Sequence, residues 1–163
     1  RDSVIERITP AQPDHHGAEW VALDRYEFVD GARRFEYWEL DHAAWLGLGA
    51  AVDHAIGLGI ERIESTIRQR AEELRSGLRE VGLRVHDQGV DRCGIVTATH
   101  PTASASEIAT MFSAEQINVS TTHVNSARAD TESRGMLSMV RLSVHCTTTA
   151  AEIERTIDVL RTL

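Results

Sequence analysis

The sequence predicts an α+β fold: a small mixed or antiparallel sheet of about four strands with helices packed on one face. Three observations carry this expectation. Residues 60–81 place apolar side chains at alternating steps of three and four, the period of an amphipathic helix. Four short runs, LRVHD, CGIVTAT, INVS and MVRLSVHC, have strand composition and are separated by turn or helix signals. Two Ser/Thr-x-x-Glu boxes, Ser104 with Glu107 and Thr149 with Glu152, open two further helices.

Taken in chain order, residues 1–40 hold Pro10, Pro13, the turn signal PDHHG and the short alternations DRYEF and RRFEYW, and read as loops and extended pieces. Asp41 then caps a helix in which Trp45, Leu48, Val52 and Ile56 fall at helical spacing, with Gly47, Ala50 and Ala51 allowing a neighbour close approach. GLG occurs at 47–49 and 57–59, yet each lacks the third glycine and a preceding strand, so neither makes the tight turn that cradles a pyrophosphate. In helix 60–81 the apolar positions at that spacing are Ile60, Ile63, Ile67, Ala71, Leu74, Leu78 and Val81. Its other face, with Glu61, Arg62, Glu64, Arg68, Glu72, Arg75 and Arg79, reads as solvated and laced with ion pairs, and Gly82 ends it. LRVHD and CGIVTAT are strands joined by the turn DQGVDR. The Ser104 helix buries Ile108, Met111 and Phe112; INVS, 117–120, is a strand; TTHVNSARADTESRG is polar and structurally uncommitted, the kind of long loop that carries function or moves. After the strand 139–146, the Thr149 helix buries Ile153, Ile157 and Leu160.

Size and charge narrow the function classes. The 163 residues, 42% hydrophobic, suffice for one ordinary domain with a core. A net charge of −8, without a basic run interleaved with aromatics, disfavours nucleic acid as a partner. No apolar run approaches bilayer length and no signal-peptide pattern opens the chain, so no membrane is expected and a cytoplasmic location is. Cys93 and Cys146 lie in strand-like apolar runs without CxxC spacing, which suits buried free thiols. None of the eight histidines falls in HExxH or a zinc-ligand cluster, so no metal site is expected. The chain contains no lysine and opens on Arg1 instead of methionine, from which a fragment is expected.

One residue stands apart. In MVRLSVHC, alternation puts Val140, Leu142, Val144 and Cys146 on one face and Arg141, Ser143 and His145 on the other. A guanidinium keeps its charge, so Arg141 meets either water on the wet side of a sheet or an anion gripped by its planar fork. Alternation alone leaves both readings open.

The segments RRFEYWE, WLGLGAAVDHAIGLGIERI, CGIVTAT, INVS and VRLSVHCTTTAAEIE, in that order, resemble the C-terminal part of class V aminotransferases, fold-type I pyridoxal phosphate enzymes that include cysteine desulfurases, isopenicillin N epimerase-like proteins and C–S lyases. The resemblance implies the small domain of that fold over 41–163, with 1–40 a strip of the large domain and inter-domain segment. It implies an enzyme acting on an amino acid, a lyase, epimerase or aminotransferase, working as a homodimer with its large domain upstream. Arg141 would be its substrate-carboxylate arginine, with His123 and Asn125 in the nearby loop that contacts substrate. Trp38 and Glu39 stand where desulfurases carry a Gly-Thr-Pro that reaches the partner's cofactor phosphate. The family's cofactor lysine lies upstream of the matched region, so this chain alone supplies no catalytic residue and is expected to hold no cofactor. The desulfurase loop cysteine is also absent, which argues against sulfur relay through a persulfide. The contrasting reading is a stand-alone, non-catalytic binding or oligomerisation module, which the missing lysine equally suits.

Overall fold

The computed structural model describes residues 2–5 and 7–163. The chain divides into two compact units, Arg1–His54 and Ala55–Leu163. In the first, α1 (Asp2–Ile5) precedes a hairpin of β1 (Ala18–Ala22) and β2 (Arg25–Phe28), in which Trp20 pairs with Tyr26. A 3-10 turn, Gly31–Phe35, follows. Asp14 ties the end of this stretch back to its start: Oδ1 accepts from the His16 N–H at 3.1 Å and from the Trp38 N–H at 2.8 Å. Helix α2 (His42–Leu58) begins as the sequence predicts, the Asp41 carboxylate accepting the Ala44 N–H at 2.9 Å. Its apolar residues Trp45, Leu48, Val52 and Ile56 are all exposed.

The second unit is the α+β domain the patterning predicts. Helix α3 (Ile60–Glu80) closes on a Schellman motif, Leu83 N–H to the Leu78 carbonyl at 2.9 Å and Gly82 N–H to the Arg79 carbonyl at 3.1 Å, with Gly82 at φ 88°. Then come β3 (Arg84–Val85), β4 (Ile95–Thr99), α4 (Ala105–Ala114), β5 (Ser120–His123), a 3-10 turn (Val124–Ser126), α5 (Arg128–Ser133), β6 (Ser138–Ser143) and α6 (Ala150–Leu160). The four strands pair antiparallel in the order β3-β4-β6-β5. Val96, Ala98, Val140 and Leu142 point to one face. There they meet Ala71, Leu74 and Leu78 of α3, Ile108 and Phe112 of α4, and Ile153, Ile157 and Leu160 of α6. Each fully buried side chain of this size contributes about 1.5–3 kcal/mol. Helices α3 and α6 approach so closely that a Cβ on Gly77 would lie 2.6 Å from an Ile157 side-chain carbon.

Both predicted capping boxes are present. Ser104 and Thr149 hydroxyls accept the Glu107 and Glu152 N–H groups, and the two carboxylates accept back from the Ser104 and Thr149 N–H groups at 2.7 Å each. The backbone N–H first, and then the hydroxyl, hold both carboxyls below the usual glutamate range. A depressed carboxyl contributes stability above its unfolded value, about 4.3, and loses it as pH falls through the folded value. The Glu107→Gln, Glu152→Gln double variant keeps the box geometry without the charge. Its urea midpoint should therefore fall less steeply than wild type between about pH 5 and 3; parallel acid limbs would show that the charges contribute nothing.

Four expectations need correction. Arg75 is not on the solvated face: it is 2% exposed, because the apolar stripe of α3 is wide enough to carry Arg75 against the 87–93 turn. There Asp87 Oδ2 accepts from its Nε at 2.8 Å and the Cys93 carbonyl from an NH2 at 2.7 Å. INVS is not the strand; pairing starts at Ser120 and runs to His123. The reason is the exit from α4: Gln116 turns at φ 57° and the Ile117 N–H goes to the Phe112 carbonyl at 2.8 Å, so Ile117 closes the helix. The polar stretch after it is ordered into β5, the 3-10 turn and α5, with Thr131 buried. Cys93 is exposed and Cys146 half-buried, because β4 begins only at Ile95 and β6 ends at Ser143.

Candidate functional site

The core face of β6 takes Val140 and Leu142, which turns Arg141 to the other side of the sheet. The register places Thr97 of β4 opposite it on one flank and Ser120 of β5 on the other. Arg141 is half-buried, and its Nε is buried without a hydrogen-bond partner. No carboxylate among the described residues pairs with it. Buried donors are ordinarily satisfied, and one left open costs about 1–3 kcal/mol. A guanidinium with an open donor between two hydroxyl-bearing residues is equipped to take an oxyanion.

The other predicted positions are carried by other elements. His123 ends β5 opposite Ser138, so it shares the side of the ladder taken by Val140, and Arg141 takes the opposite side. Its Nε2 is 3.1 Å from the Thr121 hydroxyl. Asn125 lies in the 3-10 turn beyond, exposed, its carbonyl oxygen accepting from Arg128 at 2.7 Å. Trp38 and Glu39 belong to the first unit, both exposed; the Trp38 indole stands edge-on to the His16 ring at 5.0 Å. Thr97 and Ser120 escaped the sequence reading. Each is an ordinary strand residue until the register sets it beside Arg141.

The connection from β5 to β6 is longer than a hairpin between neighbours needs. It reaches past its own strands: Arg134, just after α5, donates to the His86 carbonyl at 2.8 Å, beyond β3 at the far edge of the sheet, while also holding Asp130 at 2.9 Å. His86 is buried, with Nε2 2.7 Å from the Thr99 hydroxyl. Burial, then the neighbouring Arg134 and Arg84 guanidiniums, push its imidazole below the usual histidine range.

A family model described as aminotransferase class-V matches residues 1–156. No curated protein matches the sequence. Among solved structures, the apo cysteine desulfurase from Thermococcus onnurineus NA1 superposes at TM-score 0.86 with 21% identity, covering 99% of this chain and 41% of that one. The cysteine desulfurase CsdA from Escherichia coli, in its S-sulfonic acid form, gives 0.82 and 17%, covering 99% and 40%. A cystine C–S lyase in complex with its product cysteine persulfide gives 0.75 and 21%, over the same shares, and a variant of that lyase carries glycine covalently linked to its pyridoxal phosphate cofactor. At these identities the likeness shows the fold. The chain spans about two fifths of the length of each.

Proposed function

The chain belongs to the aminotransferase class-V family, and from this premise we propose that it is the C-terminal part of a cytoplasmic pyridoxal phosphate-dependent enzyme acting on an amino acid, as a lyase, epimerase or aminotransferase. Its own contribution is Arg141, which grips the substrate carboxylate. The observation that supports this is the buried, unpartnered Nε of Arg141 on the sheet face opposite the helices. Residues 1–40 belong with the large domain, 41–163 form the small domain, and two copies make a homodimer.

The residues present do not fit the cofactor itself. With no lysine, the chain has no side-chain amine to hold an aldehyde. The Trp38 N–H is already given to Asp14, and the Glu39 carboxylate opposes a phosphate. Trp38 and Glu39 would therefore border the cofactor without cupping its phosphate. Arg141 would fix the carboxylate end of the substrate.

Borohydride treatment tests this assignment. Mixed with pyridoxal phosphate and reduced, the complete natural protein should carry one stoichiometric label on a lysine outside these 163 residues. The chain by itself should take no stoichiometric label on an internal residue. A complete protein that binds no pyridoxal phosphate, or a label mapped inside this chain, overturns the reading.

A further inference from the structure

A cavity of ≈840 Å3 opens between the β3 and β4 end of the sheet and the segment after α5. Its lining includes Arg84, His86, Thr99, His100 and Arg134 and contains no aspartate or glutamate. In a chain of net charge −8, this wall carries two arginines and two histidines and no carboxylate of its own, the carboxylate of Asp130 reaching Arg134 from outside it. The four are not equally committed. Arg134 is held by Asp130 and the His86 carbonyl, and His86 by Thr99. The Arg84 backbone pairs with Thr99 in the ladder, but its side chain has no hydrogen bond or ion pair among the described residues. The Ala103 and Thr102 N–H groups donate to His100 Nδ1 at 3.0 and 3.3 Å, which leaves the ring proton on Nε2 as the donor His100 has to offer. The volume lies within the range of small-molecule sites, about 300–1,000 Å3.

We propose that this cavity binds a small anionic metabolite through its phosphate or carboxylate oxygens, with Arg84 and the His100 Nε2–H as the donors and Arg134 bracing the wall. It is separate from the Arg141 site: Arg141 does not line the cavity, and the proposal does not depend on the reaction the enzyme performs. The alternation that exposes Arg141 also reaches β3, where Arg84 and His86 flank the inward Val85.

Titration of the complete natural protein with inorganic phosphate, against chloride at matched ionic strength, tests it through the imidazole NMR signals of His86 and His100. Saturable movement of both signals is expected. Arg84→Gln, an exposed strand position, should weaken the midpoint at least tenfold, whereas Arg62→Gln, an exposed arginine on α3 outside the cavity, should leave it unchanged. Citrate in place of phosphate distinguishes a carboxylate from a phosphate ligand, and Arg84-dependent binding of either supports the site. No saturable shift with either anion, or a midpoint indifferent to Arg84→Gln, overturns it. Loss of pyridoxal phosphate binding would leave this result untouched, so the two proposals fail separately.

Discussion

Replacing Arg75 by leucine is expected to lower the unfolding free energy by about 3–5 kcal/mol, the cost of removing one partner from a buried ion pair. Arg75 is 2% exposed and Asp87 is 14% exposed at its side chain, and the Asp87 oxygen that accepts from the Arg75 Nε also lies 2.7 Å from one of its NH2 groups. Leucine fills the volume but leaves the Asp87 carboxylate and the Cys93 carbonyl without the donors that hold them. Urea unfolding followed by helical circular dichroism should show a lower midpoint with an unchanged slope. The Arg75→Leu, Asp87→Leu double variant should recover much of the loss, because two uncharged partners leave no stranded charge. A single variant within about 0.5 kcal/mol of wild type, the range of ordinary surface substitutions, would show that Arg75 acts as a solvated residue after all.

That prediction rests on a residue whose burial the sequence hides. In α3 the spacing of Ala71, Leu74 and Leu78 identifies the helix and its inner face, because a 3.6-residue period is a local property. Whether Arg75, at the flank of that stripe, meets water or the 87–93 turn depends on where a distant loop comes down. The same divide runs through the rest of the chain. Both capping boxes are legible, since donor and acceptor sit three residues apart. The β5 boundary is not: INVS has better strand composition than STTH, yet Gln116 and Ile117 are spent on closing α4, and pairing with β6 decides what remains. Arg141 falls between the two cases. Alternation gives its face, and only the register supplies Thr97 and Ser120 beside it. His123 and Asn125 are near in sequence to β6, but strand alternation puts His123 on the other side of the ladder.

The most direct measurement is the turnover of Arg141→Lys in the complete natural protein. Lysine keeps the positive charge and loses the planar fork, so the variant separates a carboxylate grip from a generic cation on a wet sheet face. A charge-assisted hydrogen bond contributes about 1.5–3 kcal/mol, and tenfold in rate corresponds to about 1.4 kcal/mol. An exposed arginine contributes close to nothing. With the Nε of Arg141 buried and unpaired, the account predicts that kcat/KM for the amino acid substrate falls tenfold or more. Cofactor absorbance and Tm should stay near wild type, since Arg141 pairs with no carboxylate among the described residues and faces away from the core. An Arg141→Lys enzyme that turns over its amino acid as well as wild type would contradict the account and return Arg141 to the solvent-facing side of a strand.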